Sequence, residues 1–329
     1  MLLLCSIVGS AHVQAQNMIS MSGQHPAADT QPENAREQAL RYPGLRQANI
    51  TTTIFGSGHF DSKLNGEHFA SGKSQNARIS SFFNLPIGRW GSNVLSGTIY
   101  HNEQFFNVRN TSNSLPEPQL DNSNIRKSTL GLSLNFSRTG KLFRAPVIYT
   151  AIFTVISDNL SSVKRFNFNG SLMFPLKRTA DAYLAIGALL LIDPSAPIPV
   201  LPTVSYFRRL NSSGLQLMLD LPQSLTLKQP LFKKGWVYLG GSSNTFASFY
   251  HPGDPSLRER FSYNTIEFKS GPGFEYLLGR SVILGVSGGA NWFVSARAIA
   301  KGDRYKDAFI ESTNKATPYA EFSISLLPF

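Results

Sequence analysis

The sequence predicts an all-β fold, an antiparallel transmembrane β-barrel of about 12 strands within a range of roughly 10 to 14. Three observations carry this expectation. Segments of about ten residues alternate apolar and polar side chains with period two; their polar partners are Ser, Thr, Asn and Gly; and the charged residues fall in the connections between them. Only 16% of the residues are charged, against roughly 25% in an average soluble domain. The longest apolar run, Ala182 to Ile192, is shorter than the roughly 17 to 25 residues of a membrane helix, which excludes a polytopic helical protein.

The chain opens on a short apolar segment, Leu2, Leu3, Leu4, Ile7 and Val8, and Val13-Gln14-Ala15 before Gln16 has the small-residue pattern of a cleavage site. Residues 1–15 therefore read as a secretory signal peptide, although no Lys or Arg precedes the apolar segment. Cys5 is the single cysteine, so a cleaved product has neither disulfides nor thiolate metal ligands. Residues 16–49 are rich in Gln, Asn, Ala and Pro and read as a flexible lead-in, with one or two helical turns at Ala35 to Leu40. Residues 50–329 form the barrel.

The clearest strand is Ser128 to Ser137. Leu130, Leu132, Leu134 and Phe136 share one face, assigned to lipid, and Thr129, Gly131, Ser133 and Asn135 share the other. Arg165 to Phe174 repeats the pattern with Phe166, Phe168, Leu172 and Phe174, and Gly214 to Leu221 repeats it with Leu215, Leu217, Leu219 and Leu221. Further candidates are Ile50 to Gly58, Ala77 to Leu85, Ser92 to His101, Leu201 to Arg209, Ser224 to Phe232, Trp236 to Tyr250, Phe261 to Phe268, Val282 to Val294 and Pro318 to Leu327. Val147 to Ile156 and Tyr183 to Leu191 are apolar on both faces. Their β-forming residues and flanking breakers favour strands, and as barrel strands they require a lumen packed in part with side chains.

A soluble sandwich also alternates, but its outward face carries Lys, Glu and Arg, whereas small uncharged residues suit a crowded barrel interior. Aromatic residues near segment ends, among them Trp90, Phe105, Phe106, Tyr206, Phe207, Trp236, Phe249, Tyr250 and Trp292, fit girdles at two lipid interfaces. Phe322, Ile324, Leu326 and Leu327 lead to Phe329, a pattern similar to the assembly signal of outer-membrane barrels, with Leu327 and Phe329 as its candidate residues. Pro328 and the shift in alternation at Leu326-Leu327 call for a bulge or a frayed end.

Within Ile192 to Gly240, Pro199, Pro202, Val204 and Tyr206 mark a Pro-containing strand, Asn211 to Gly214 a turn, and Leu217 to Pro222 a Leu-x-Leu-x-Leu-Pro strand before another hairpin. This stretch resembles an uncharacterised outer-membrane β-barrel family of Gram-negative bacteria, labelled a domain of unknown function. The resemblance implies location and architecture and transfers no functional residue.

The net charge is +11, but the basic residues are single or paired and mark no nucleic-acid partner. His59, Asp61, Glu67 and His68 are the closest approach to a metal constellation and read as a solvated hairpin; no metal or cofactor is expected. A lipid-modifying hydrolase needs a Ser or Thr nucleophile and a His base on adjacent strands at the lipid-facing rim. His101 is the best base available, but abundant serines make any pairing non-specific. Gly285-Val286-Ser287-Gly288-Gly289 lacks a phosphate-loop lysine and reads as a bend or a place of tight packing. Glu267 and Glu275 read as isolated carboxylates on separate segments. The expectation is an outer-membrane barrel of a Gram-negative bacterium, not an enzyme, acting as a passive pore or transporter for small solutes; the alternatives are a structural or surface-interaction barrel and a lipid-modifying enzyme. Its expected partners are outer-membrane lipids and the barrel-insertion machinery.

Overall fold

The computed structural model describes residues 32–113, 124–210, 213–251 and 260–328. A helix, α1 (Pro32–Arg41), and a 3-10 turn, Pro43–Leu45, precede the strands. These are β1 (Ala48–Phe55), β2 (Gly58–Leu64), β3 (Glu67–Trp90), β4 (Asn93–Asn113), β5 (Asn124–Leu142) and β6 (Ala145–Ser157). There follow β7 (Arg165–Arg178), β8 (Ala182–Ile192), β9 (Val200–Arg209), β10 (Gln216–Leu221) and β11 (Ser224–Phe232). The last are β12 (Gly235–Tyr250), β13 (Phe261–Leu278), β14 (Val282–Ala300), β15 (Ile310–Asn314) and β16 (Thr317–Leu326).

Every strand pairs antiparallel with its neighbours, and β1 closes the sheet by pairing with both β3 and β16. β2 and β15 continue β1 and β16 in the same mutual register, from Ala48↔Leu326 to Leu64↔Ile310. The wall is therefore a closed barrel of 14 strands, more than the expected 12 or so. The fourteen sequence segments each fall on a separate wall strand. Several strands run longer than their apolar alternation, β3 to 24 residues and β4 to 21, because their polar distal ends need no apolar face to pair.

Both ends of the paired chain lie at one rim, the near end, where the connections 91–92, 143–144, 233–234 and 279–281 are short. The distal rim carries the longer connections, including 158–164, 193–199 and 301–309. Side chains are sorted inside out. Leu132, Leu134, Phe153, Phe166, Ile186 and Ile192 are exposed on the outer wall, while Thr98, Ser133, Asn135, Thr154, Asn169 and Thr203 are buried inside. As the doubly apolar segments required, part of the lumen is packed: Ile148, Met173 and Ala185 form one cluster, and Leu189, Leu191 and Leu201 another.

The distal mouth is narrowed by the wall itself. Strand pairing between β11 and β12 ends at Ser224↔Ser242, and after a last bond from the Ser243 N–H to the Gln223 carbonyl (2.8 Å) β12 rises beyond β11 to Tyr250. Both faces of this rise are covered. On one, Gln104 donates to Ser248 (3.0 Å), Thr129 donates to the Ala247 carbonyl (2.8 Å) and Arg78 meets Glu267. On the other, Arg165 of β7 donates to Ser262 (2.6 Å) and Asn264 (3.1 Å) and lies over Phe249. The distal parts of β12 and β13 thus lean into the lumen. A glycine row underlies the lean: Gly240 pairs with Gly271, and a Cβ on Gly271 would stand 1.9 Å from the Gly288 carbonyl oxygen. Close approach of strands at such glycines lets a barrel wall turn sharply.

Candidate luminal site

The near end is stoppered by residues 32–47. Ala39 and Leu45 pack with Ile283 and Leu327, and Arg46, 1% exposed, anchors the segment. Its guanidinium donates to Glu275 Oε1 (2.6 Å) and Ser325 Oγ (3.0 Å), while Lys228 donates to Glu275 Oε2 (2.7 Å) and the Leu40 carbonyl (2.8 Å). Asn84 adds bonds to the Gly44 and Arg46 carbonyls. One carboxylate held by two cations, with the remaining donors satisfied, is the arrangement that makes buried charge tolerable.

At the other end Arg78 makes a two-pronged pair with Glu267 (2.8 and 3.1 Å) and stacks 3.3 Å from the Phe246 centroid. Between stopper and lean lies a cavity of about 360 Å³. Its walls combine Thr51, Thr53, Ser80, Asn102, Thr226 and Asn244 with Tyr42, Phe82, Tyr100 and Tyr238. The charged residues on it are Arg41, Arg78, Lys228 and Lys269 against Asp220, Glu275 and Glu321. Glu321 is paired with Lys269 and also accepts from Thr53 (2.8 Å). Its lining offers hydrogen-bond donors and acceptors to a small polar molecule.

The outer wall holds a second cluster. His101 Nε2 lies 3.0 Å from Ser128 Oγ and 3.3 Å from Glu103 Oε2, and Arg126 donates to Glu103 Oε1 at 2.6 Å. It sits just distal to the apolar Leu130 and Leu132 on β5, where β4 and β5 pair at Glu103↔Ser128 and Phe105↔Arg126. A hydrolytic triad uses one imidazole nitrogen for the nucleophile and the other for the acid. Here a single nitrogen faces both.

Leu132 and Leu134 are exposed on the outer face; Leu130 and Phe136 share it, half-buried. Leu327 is fully buried against the stopper, one residue past the end of β16, and Phe329 lies outside the described residues, as do residues 1–31 with Cys5 and the signal-peptide segment. From Pro32 the lead-in is the stopper, helical where Ala35 to Leu40 predicted a turn or two. Trp90, Phe105 and Trp292 are exposed outward, but Phe207 and Trp236 face inward beneath Arg41 and Lys228, and Phe249, of opposite parity to Trp236 on β12, is covered by Arg165 where the strand leans. Being near a strand end does not fix the face of an aromatic; parity along the strand does. Glu267 and Glu275 share the single long strand β13 and both point inward. His68 meets Asp61 at 3.4 Å on an exposed hairpin, and among the described residues no three His, Cys, Asp or Glu side chains converge as a metal set. Arg46, Arg78, Asp220 and Lys228 carry no motif; their one signal in the sequence is a charge at an inward position of an alternating strand or just before one.

No family model and no curated protein matches the chain, so the resemblance of residues 192–240 gains no family. Among solved structures, the chain is similar to an outer membrane channel from Pseudomonas putida F1, at 10% identity over 86% of this chain and 96% of that one, with a TM-score of 0.32. It is also similar to the outer membrane phospholipase A from Escherichia coli, at 9% identity over 83% and 89%, with a TM-score of 0.32. The translocator domain of the autotransporter NalP from Neisseria meningitidis matches at 10% identity over 86% and 88%, with a TM-score of 0.30. At such scores no function is assigned from them.

Proposed function

We propose that the protein is an outer-membrane barrel of a Gram-negative bacterium that admits small polar solutes, and that the structure is its closed state. The apolar outer wall around a polar lumen supports the membrane location, because a closed barrel leaves no backbone edge unpaired in lipid. The polar cavity between the Arg46-anchored stopper and the leaning β12–β13 wall carries the transport reading. A purely structural barrel of this size has no need of a lined chamber between two closures. Planar-bilayer recording of the purified chain tests it. Rare, small steps are expected, becoming larger and more frequent in Glu275→Gln, which loosens the stopper. Silence in both proteins, with intact fold, would favour a structural barrel.

One observation favours a second reading, a lipid-modifying enzyme: the 3.0 Å contact of Ser128 with His101 on the outer wall. The sharing of Nε2 between Ser128 and Glu103 weighs against it. Phospholipid turnover by the wild-type protein that vanishes in Ser128→Ala would promote the enzyme over the pore.

A further inference from the structure

The carboxylates around the cavity are not equivalent. Glu275 is neutralised by Arg46 and Lys228, and Glu321 by Lys269. Asp220, 5% exposed, is different. Among the described residues no basic group comes within ion-pair distance of it, and its one side-chain hydrogen bond is from Ser205 to Oδ1 (2.6 Å). Arg41, which lines the same cavity, pairs with Glu37 and lies 4.5 Å over the Phe207 ring. Three residues on, Gln223 is also 5% exposed, and its Oε1 has no hydrogen-bond partner. A turn fixes the two together, with the Gln223 amide donating to the Asp220 carbonyl (2.7 Å). Both side chains line the cavity.

A buried carboxylate without a counter-charge beside an unsatisfied amide oxygen is costly. Both groups accept hydrogen bonds: Gln223 Oε1 has no donor, and Asp220 has one neutral donor, Ser205, and no cation. We propose that Asp220 and Gln223 form the recognition site for the cationic end of the solute, a primary ammonium group. The proposal rests on the transport reading and names its substrate class. An ammonium supplies the missing charge and up to three N–H donors. It enters beside Tyr42, whose ring also lines the cavity and can face a cation. A carboxylate-bearing solute without an amine would meet Asp220 with like charge and be rejected.

Met218 gives a local readout, because it lines the same cavity, whereas Met173 packs elsewhere against Ile148 and Ala185. The full chain, refolded in detergent with methyl-labelled methionine, is titrated with n-propylammonium and separately with propionate. A saturable shift of the Met218 methyl is expected with n-propylammonium only, with Met173 unmoved. Asp220→Asn should weaken binding about tenfold or more, the worth of one charge-assisted hydrogen bond. Gln223→Glu, which adds a second carboxylate, should tighten it. Equal response to propionate, unchanged affinity in Asp220→Asn, or unchanged or weaker affinity in Gln223→Glu overturns the proposal; the last keeps the test decisive should Asp220→Asn fail to refold. Swelling of liposomes in small neutral solutes, measured on the same preparation, separates the two claims. Swelling without a Met218 shift overturns the ammonium site and leaves the pore. A Met218 shift without swelling or conductance leaves the site and overturns the pore.

Discussion

Glu275 is where a single atom group holds two parts of the molecule together. Its two oxygens take Arg46 from the stopper and Lys228 from β11, so removing its charge strands two buried cations at once. Breaking one side of a buried pair costs about 3–5 kcal/mol. Glu275→Gln should therefore lower the unfolding temperature in detergent markedly, while Arg46→Met, which removes a cation with its need for a partner, should cost less. A double-mutant cycle over Arg46 and Glu275 would show coupling above roughly 1 kcal/mol if they act as one unit, and additive losses if they do not. The outward cluster at His101 offers a contrast. His101 was legible in the sequence as the best available base, but Ser128 as its neighbour was not, because only the register of β4 on β5 selects one serine among many.

Among the elements, β12 and β13 do two tasks, as wall near the termini and as the narrowing of the distal mouth. The glycine row between these parts sets the angle. Gly271→Ala forces a methyl against the Gly288 carbonyl at 1.9 Å and should weaken the lean by about 1–3 kcal/mol, as overpacking does. Faster hydrogen exchange over residues 261–267, with the near half of β13 unchanged, is the expected result. Uniform acceleration along β13 would mean that the glycines serve the wall as a whole. The sequence showed Gly285 to Gly289 as a bend or a tight packing place, and the strands flanking it by their alternation. It did not show that β12 and β13 lean together, because that depends on Gly240 meeting Gly271 across the sheet. The stopper was equally hidden. Residues 32–47 lack a sustained apolar face, and much of what holds them is polar: Asn84 of β3 and Lys228 of β11 donate to the stopper's own carbonyls, and Glu275 of β13 accepts from Arg46.

At the scale of the molecule, the two faces of the wall should answer differently to the same substitution. Leu134→Arg on the outer face should destabilise the barrel in phospholipid vesicles by about 2–4 kcal/mol if that position lies near the bilayer midplane, measured by urea unfolding. The same change should have little effect in a soluble protein whose Leu134 simply faced water, so a negligible loss would count against the membrane. Twelve of the fourteen strands were legible by alternation and two, Val147 to Ile156 and Tyr183 to Leu191, by β-forming residues between breakers, yet the number expected was about 12: such signals mark where a strand is and say nothing of which strands share a ladder. The pairing of β1 with β16 has a further consequence for how the molecule is made. All other neighbours in the wall are adjacent in sequence, so hairpins can accumulate in order from β3 to β14, but the last seam joins partners some 270 residues apart and is the slow, high-entropy step. The stopper leads directly into β1, and Arg46 bonds Ser325 on β16 across that seam. Seating the stopper thereby ties the closing seam once more, so that filling the circle also helps to keep it sealed.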